Sequence, residues 1–287
     1  MKVAVIGLGN MGLPMARNLK KAGFEVVGYD QASVENAGVD TAATAKDAVR
    51  EAEVVVTMLP NGKILNAVYD ELLSHIAPDA LMIDCSTVDV AQAREAAQKA
   101  DAVGLRAIDA PVSGGVVGAT NGTLTFMVGG AKSDVNRARP LLDAMGQKIV
   151  HCGLIGAGQA AKVCNNMLLG ISMLGVCEAF ALADHLNLDR QAFYDVASEA
   201  SGQCWSLTTY CPAPGVGPVT SADNDYEPGF ATDLMLKDLE LSQQSAYATG
   251  ASTRLGELAM EIYKELSGAG LGARDFSVYL SKIGNLS

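Results

Sequence analysis

Up to about residue 155 the chain alternates short apolar runs with amphipathic stretches. The runs fall at 3–6, 25–29, 54–59, 81–85, 107–110, 124–128 and 149–151. Near-continuous apolar runs of this length fit strands covered on both faces. Between them, apolar positions recur at helical spacing over 12–21, 63–75, 90–103 and 134–145. Strand–helix alternation predicts an α/β domain with a doubly wound, mostly parallel sheet. Beyond Gly158 the pattern changes. A long Ala/Leu/Met-rich helical stretch covers 162–186, and further helical patterns follow at 190–199, 234–248, 254–266 and 275–283. These predict an all-α second domain joined to the first by a long helix, with bounds of 1–160 and 161–287. One irregular segment interrupts it, 204–230, rich in Pro, Gly, Asp and Asn but carrying Trp205, Tyr210, Tyr226 and Phe230. Long irregular loops are uncommon unless functional or disordered, and the aromatics argue against disorder.

Composition narrows the function. The 287 residues include 21 Lys and Arg against 32 Asp and Glu, a formal charge of −11, with no basic run. Binding to a nucleic-acid backbone is therefore not expected. The six cysteines form no CxxC pair, and His75, His151 and His185 show no HxxxH spacing. A protein-bound metal or a disulfide framework is not expected. The chain starts directly with a strand pattern, which predicts no signal peptide. The apolar run over 167–183 carries Glu178 and is followed by Asp184. It is read as too broken to span a membrane, so the expected location is the cytoplasm.

The first apolar run leads into Gly7-Leu8-Gly9-Asn10-Met11-Gly12 and then a helix that stops at Gly23. The next strand ends in Asp30, and this context completes a dinucleotide fingerprint. Gly7 allows a tight turn, Gly9 lets a pyrophosphate approach the backbone, and Gly12 lets the helix pack close. The helix N-terminus presents N–H groups and partial positive charge to the phosphates. A carboxylate at Asp30 accepts from ribose hydroxyls and repels a 2′-phosphate. Gln31, Ala32 and Ser33 follow, with no arginine among them, so NAD is expected rather than NADP. Ligands in such folds sit at the carboxyl ends of strands. That brings Leu59, Pro60 and Asn61, and Ser86 and Thr87, towards the same crevice, although ordinary turn chemistry would read the same way.

Hydride exchange with an alcohol also requires a proton acceptor, and there is no GxSxG nucleophile elbow. In "GAGQAAKVCNNMLLG", Lys162 and Asn166 are spaced i, i+4 on one helical face. The lysine could be catalytic or could simply snorkel to water. In "DAPVSGG", Ser113, Gly114 and Gly115 could present a hydroxyl and successive N–H groups to a carboxylate, or form a plain glycine turn.

The chain resembles the β-hydroxyacid dehydrogenases over essentially its whole length, most closely the 3-hydroxyisobutyrate dehydrogenases. Five stretches carry the resemblance: "GLGNMGLPMARNL", "DAPVSGGVVGATNGTLTFMVGG", "GAGQAAKVCNN", "CWSLTTYCPAPGV" and "LMLKDLELS". It implies a Rossmann domain, a long linking helix and an all-α domain, assembled as a homodimer or homotetramer. It implies Lys162 as the catalytic residue, Asn166 fixing the substrate, and Ser113 and Gly114 receiving its carboxylate. Thr87 and Lys237 would contact the cofactor or close the site. The 204–230 segment is similar to 3-hydroxyisobutyrate and related NAD-dependent enzymes, some of which oxidise serine. Tartronate semialdehyde reductases tend to be shorter here. The expected reaction is NAD-dependent oxidation of 3-hydroxyisobutyrate to methylmalonate semialdehyde, as in valine breakdown, with Trp205 or Phe230 as apolar walls for the substrate methyl. L-serine or another small 3-hydroxy acid is the alternative substrate. A non-catalytic NAD-sensing protein is the alternative of another class, and the Lys162/Asn166 pair speaks against it.

Overall fold

The computed structural model describes residues 1–32, 34 and 36–283. Ser33 and the last four residues of the expected second domain lie outside them. The strands are β1 Lys2–Ile6, β2 Glu25–Tyr29, β3 Asp40–Thr41, β4 Val54–Thr57, β5 Leu81–Asp84, β6 Arg106–Asp109, β7 Val112–Ser113, β8 Leu124–Gly129 and β9 Gly146–Gly153. The helices are α1 Gly12–Lys21, α2 Ala45–Val49, α3 Gly62–Leu72, α4 Val90–Ala102, α5 Gly115–Asn121, α6 Lys132–Met145, α7 Ala157–His185, α8 Arg190–Glu199, α9 Trp205–Thr208, α10 Thr232–Thr249 and α11 Arg254–Leu266. Residues 1–162 and those from 163 onward form two compact units, and the division falls inside α7.

In the first unit one sheet runs β3-β2-β1-β4-β5-β6-β8-β7, with β9 beside β8. From β3 to β6 every pairing is parallel, while β8 is antiparallel to β6 and β7. This is the strand order of a dinucleotide-binding fold with an antiparallel extension. Side chains alternate across the sheet. Val3, Val5, Val54, Val56, Leu81 and Ile83 pack with Met15, Leu19, Leu141 and Leu142. Ala4, Ile6, Val55 and Met82 pack with Leu65, Tyr69, Leu72 and Ala96. Helices thus cover both faces, which is why these strands read as continuous apolar runs.

Helix α1 ends as its glycine suggests. Gly23 adopts φ +92°. Its N–H donates to Lys20 O at 3.0 Å, and Phe24 N–H donates to Leu19 O at 3.2 Å. These two bonds make a Schellman cap. Five short elements, β3, α2, β7, α5 and α9, were not expected; each is too brief to show a period. The expected helix over 275–283 is instead a 3-10 turn, Phe276–Ser281.

The second unit packs Met173, Cys177 and Phe180 of α7 against Met235, Leu239, Tyr263 and Phe276. By length and composition α7 is apolar enough to cross a membrane, which corrects the reading of its central run alone. Within the protein 44 % of that apolar stretch is buried. The 204–230 segment is ordered by its own contacts. Cys211, Ala213, Val216 and Tyr226 enter the core. Thr220 donates to Cys211 O at 2.8 Å, and Tyr226 donates to Pro212 O at 3.1 Å.

Candidate functional site

The three fingerprint glycines have different reasons. A Cβ on Gly7 would lie 2.2 Å from Met58 O, and one on Gly12 would lie 1.9 Å from Gly7 O. Both positions are closed by the chain's own backbone, and Gly7 also adopts φ +98°. A Cβ on Gly9 would meet nothing within 4 Å. Gly9 and Asn10 are exposed and Met11 is half-buried. Packing does not require a glycine at position 9, whereas a pyrophosphate laid against the backbone does. Thr44, Asn61 and Asp89 cap α2, α3 and α4, but no side chain caps α1. Its first turn therefore suits an anion.

Asp30 is half-buried at the end of β2. Its Oδ2 accepts from Leu8 N at 2.7 Å and its Oδ1 from Ala32 N at 2.9 Å. The carboxylate thus ties the glycine loop to the strand end. It offers about four acceptor sites, which leaves room for ribose hydroxyls. The Arg17 guanidinium beside this loop is engaged with the carbonyls of Ala37 at 2.8 Å and Asn36 at 2.9 Å. These residues fit NAD.

The next two strand ends are joined by a buried network that the sequence reading did not contain. Leu59 N donates to Ser86 Oγ at 2.8 Å, and Ser86 Oγ donates to Asp84 Oδ1 at 2.6 Å. Thr57 Oγ1 donates to the same oxygen at 2.8 Å. Ser86 is fully buried, so its hydroxyl holds the Leu59–Pro60 turn and is not offered to a ligand. Asn61 accepts from Ile64 N at 3.0 Å as a helix cap. Leu59 and Thr87 are half-buried and Pro60 is exposed. Asp84 Oδ2 is buried without a partner. Burial pushes the carboxyl up to about 6, against the opposing bonds from Ser86 and Thr57.

Asp109, at the end of β6, fastens the start of α7. It accepts from Gly156 N at 2.6 Å and from Gln159 N at 2.8 Å. Gly129 and Gly158 keep the space clear, since a Cβ on Gly129 would lie 2.3 Å from Asp109 Oδ1. Burial raises the Asp109 carboxyl, while those backbone bonds oppose it. The Gln159 side chain donates to Ser86 O at 2.7 Å and accepts from Val88 N at 3.2 Å. Lys162 follows in the second turn of α7 and is only 6 % exposed. Its side chain is almost wholly withdrawn from water, unlike that of a snorkelling surface lysine. Ser113 is half-buried beside Gly114 at φ +128° and Gly115 at φ +60°. These left-handed residues open α5, which has no side-chain cap.

In the second unit, Asn166 is buried on α7. Its Nδ2 donates to Asp238 Oδ2, and its Oδ1 accepts from Asn165 at 2.9 Å. The sequence reading singled out Lys237 and overlooked its buried neighbour Asp238; the "KD" pair in "LMLKDLELS" was the available signal. Trp205 is 49 % exposed and stacks on Tyr210 at 5.2 Å. Phe230 meets Phe276 edge-on at 5.7 Å. Among the described residues no group of three or more His, Cys, Asp or Glu is placed to hold a metal.

Two family models match the chain. One describes the NAD-binding domain of 6-phosphogluconate dehydrogenase, over residues 2–153. The other describes the NAD-binding region of NADP-dependent 3-hydroxyisobutyrate dehydrogenase, over residues 156–283. A probable 3-hydroxyisobutyrate dehydrogenase of Mycobacterium tuberculosis is 48 % identical over 270 residues, covering 92 % of each chain. An NAD-dependent L-serine dehydrogenase of Pseudomonas aeruginosa is 46 % identical over 285 residues, covering 96 % of each. A solved structure of Mycobacterium tuberculosis 3-hydroxyisobutyrate dehydrogenase with L-serine superposes with a TM-score of 0.96, at 46 % identity over 98 % of each chain.

Two outcomes follow from this geometry. Gly9→Ala should leave thermal stability near wild type and weaken NADH binding, whereas Gly12→Ala should cost ~1–3 kcal/mol of stability through overpacking. Equal stability losses in the two variants, measured by urea unfolding alongside NADH titration, would contradict the distinction. Asp84 has a folded-state value above its unfolded one, so the folded protein holds this proton more tightly. The associated stability is present below the ordinary carboxylate range and is lost as pH rises through about 6. A shift of this size is worth ~3 kcal/mol. Stability measured from pH 4 to pH 7 should therefore fall more steeply in wild type than in Asp84→Asn, and parallel profiles would refute the assignment.

Proposed function

The chain belongs to the β-hydroxyacid dehydrogenase family, and on that premise we propose that it oxidises 3-hydroxyisobutyrate to methylmalonate semialdehyde with NAD. The observation that carries the reading is Lys162. It is a lysine buried to 6 % exposure on a helix whose first turn is fastened by Asp109 and Gln159. Bound NAD supplies the hydride acceptor. The Lys162 amine takes the hydroxyl proton in oxidation and returns it in reduction. Asn166, oriented by Asp238, positions the substrate oxygen. Ser113 with the N–H groups of Gly114 and Gly115 receives the carboxylate. Gly7, Gly9, Asn10, Met11 and Gly12 hold the pyrophosphate, Asp30 takes the ribose hydroxyls, and Leu59, Pro60, Thr87 and Lys237 complete the cofactor contacts.

Asp30 and the engaged Arg17 support NAD over NADP, although one matching family description names an NADP-dependent enzyme. The L-serine dehydrogenase relative favours a second substrate reading. Serine and 3-hydroxyisobutyrate share the hydroxymethyl and carboxylate groups and differ in ammonium against methyl. The Trp205, Tyr210 and Phe230 rings support the methyl, at about 0.8 kcal/mol per buried group of that size.

Lys162→Ala should bind NADH close to wild type and lose ~10²–10⁴ in turnover. Lys162→Arg should fail similarly, because guanidinium keeps its proton. Because the amine must be neutral to accept a proton, wild-type oxidation should quicken with rising pH. The assay is NADH formation with 3-hydroxyisobutyrate, L-serine and 3-hydroxypropionate. Near-normal turnover in folded Lys162→Ala removes the lysine from the mechanism, and a higher kcat/KM for L-serine replaces the substrate. In the same assay Asp30→Ala should raise the NADP-to-NAD ratio of kcat/KM; an unchanged ratio would remove Asp30 from cofactor choice.

A further inference from the structure

Asp275 is completely buried, yet its carboxylate meets five donors. Oδ1 accepts from Ser277 N at 3.0 Å and Ser277 Oγ at 2.6 Å. Oδ2 accepts from Tyr210 OH at 2.9 Å, Gly229 N at 3.0 Å and Phe230 N at 3.1 Å. One oxygen therefore gathers both ends of the 204–230 segment. At one end is Tyr210, on which Trp205 stacks at an interplanar angle of 14°. At the other is the backbone that carries Phe230. Tyr210 OH also meets Ser221 Oγ at 2.9 Å. Gly229 leaves room for this convergence, since a Cβ there would lie 2.3 Å from Tyr210 OH. Phe276, the residue after Asp275, packs on both Tyr210 at 5.5 Å and Phe230 at 5.7 Å.

A buried carboxylate costs several kcal/mol unless its lone pairs are filled. A neutral side chain could cap the Ser277 turn alone. The charged group is required where an O–H and two N–H donors from a distant segment converge. We propose that Asp275 is a positioning residue for substrate selection: through Tyr210 and the Gly229–Phe230 backbone it sets where Trp205 and Phe230 stand. The inference rests on the reading of those two rings as walls for the substrate methyl.

Trp205 is the only tryptophan in the chain, so intrinsic fluorescence reports its stack without ambiguity. Tyr210→Phe removes only the hydroxyl link to Asp275 and Ser221, and Asp275→Asn replaces one of the two accepting oxygens with an NH2 donor that faces other donors. Emission, acrylamide quenching, NADH affinity and kcat/KM for 3-hydroxyisobutyrate and the methyl-free 3-hydroxypropionate are measured in both, with Trp205→Ala as reference. Tyr210→Phe should shift Trp205 emission and quenching and leave NADH affinity unchanged. It should lower kcat/KM for 3-hydroxyisobutyrate ~10-fold more than for 3-hydroxypropionate, mainly through KM. It should have no further effect on selectivity in a Trp205→Ala background. Unchanged emission and selectivity in Tyr210→Phe, with selectivity lost in Trp205→Ala, overturns the role of Asp275. Unchanged selectivity in Trp205→Ala itself overturns the wall, and the inference with it.

Discussion

A carboxylate at the end of a parallel strand, Asp109, decides where Lys162 stands. It accepts two backbone N–H groups at the start of α7, and those groups have no partner within the helix itself. The contact is close because Gly129 and Gly158 carry no side chain there. Without that approach the helix would start elsewhere and the lysine would leave its buried position. Gln159 adds a second tie, from the same turn to the Ser86 carbonyl. Ser86 in turn holds the Leu59 turn. The carboxyl ends of β4, β5 and β6 and the start of α7 therefore share one hydrogen-bonded frame.

That frame explains why parts of the site were legible in the sequence and others were not. The glycine fingerprint combines a fixed spacing with a strand, a helix and Asp30, and each component is local. Lys162 and Asn166 stood out as polar residues on one face of an apolar helix. By contrast, Asp84, Gln159, Asp238 and Asp275 look like ordinary surface residues when read one by one. Each gains its role from a partner 27 to 73 residues away in sequence. Periodicity carries no information about such pairings. The short elements β3, β7, α2, α5 and α9 escaped for a different reason. Two to seven residues cannot display a period of 3.6, and α5 begins on glycines that ordinarily mark a turn.

Four of the buried aspartates also show that the acidic composition is more than surface charge. Asp109 and Asp275 are filled by convergent donors, Asp238 orients an amide, and Asp84 keeps one oxygen unpartnered. Convergent donors make these carboxylates fasteners between segments. Burial still raises the proton affinity of Asp84 and Asp109.

The pairing of Ala231 and Thr232 with Arg274 and Asp275 has a consequence for the order of assembly. Trp205 leaves the ribosome some seventy residues before Asp275. At roughly 5–20 residues per second, that interval lasts seconds. Throughout it the first unit already has every strand of its sheet, while the aromatic segment lacks the acceptor that gathers it. The aromatic segment of this protein is therefore fastened last in synthesis, and a nascent chain cut short before residue 274 would carry the glycine loop and Lys162 but leave its aromatic segment unfastened.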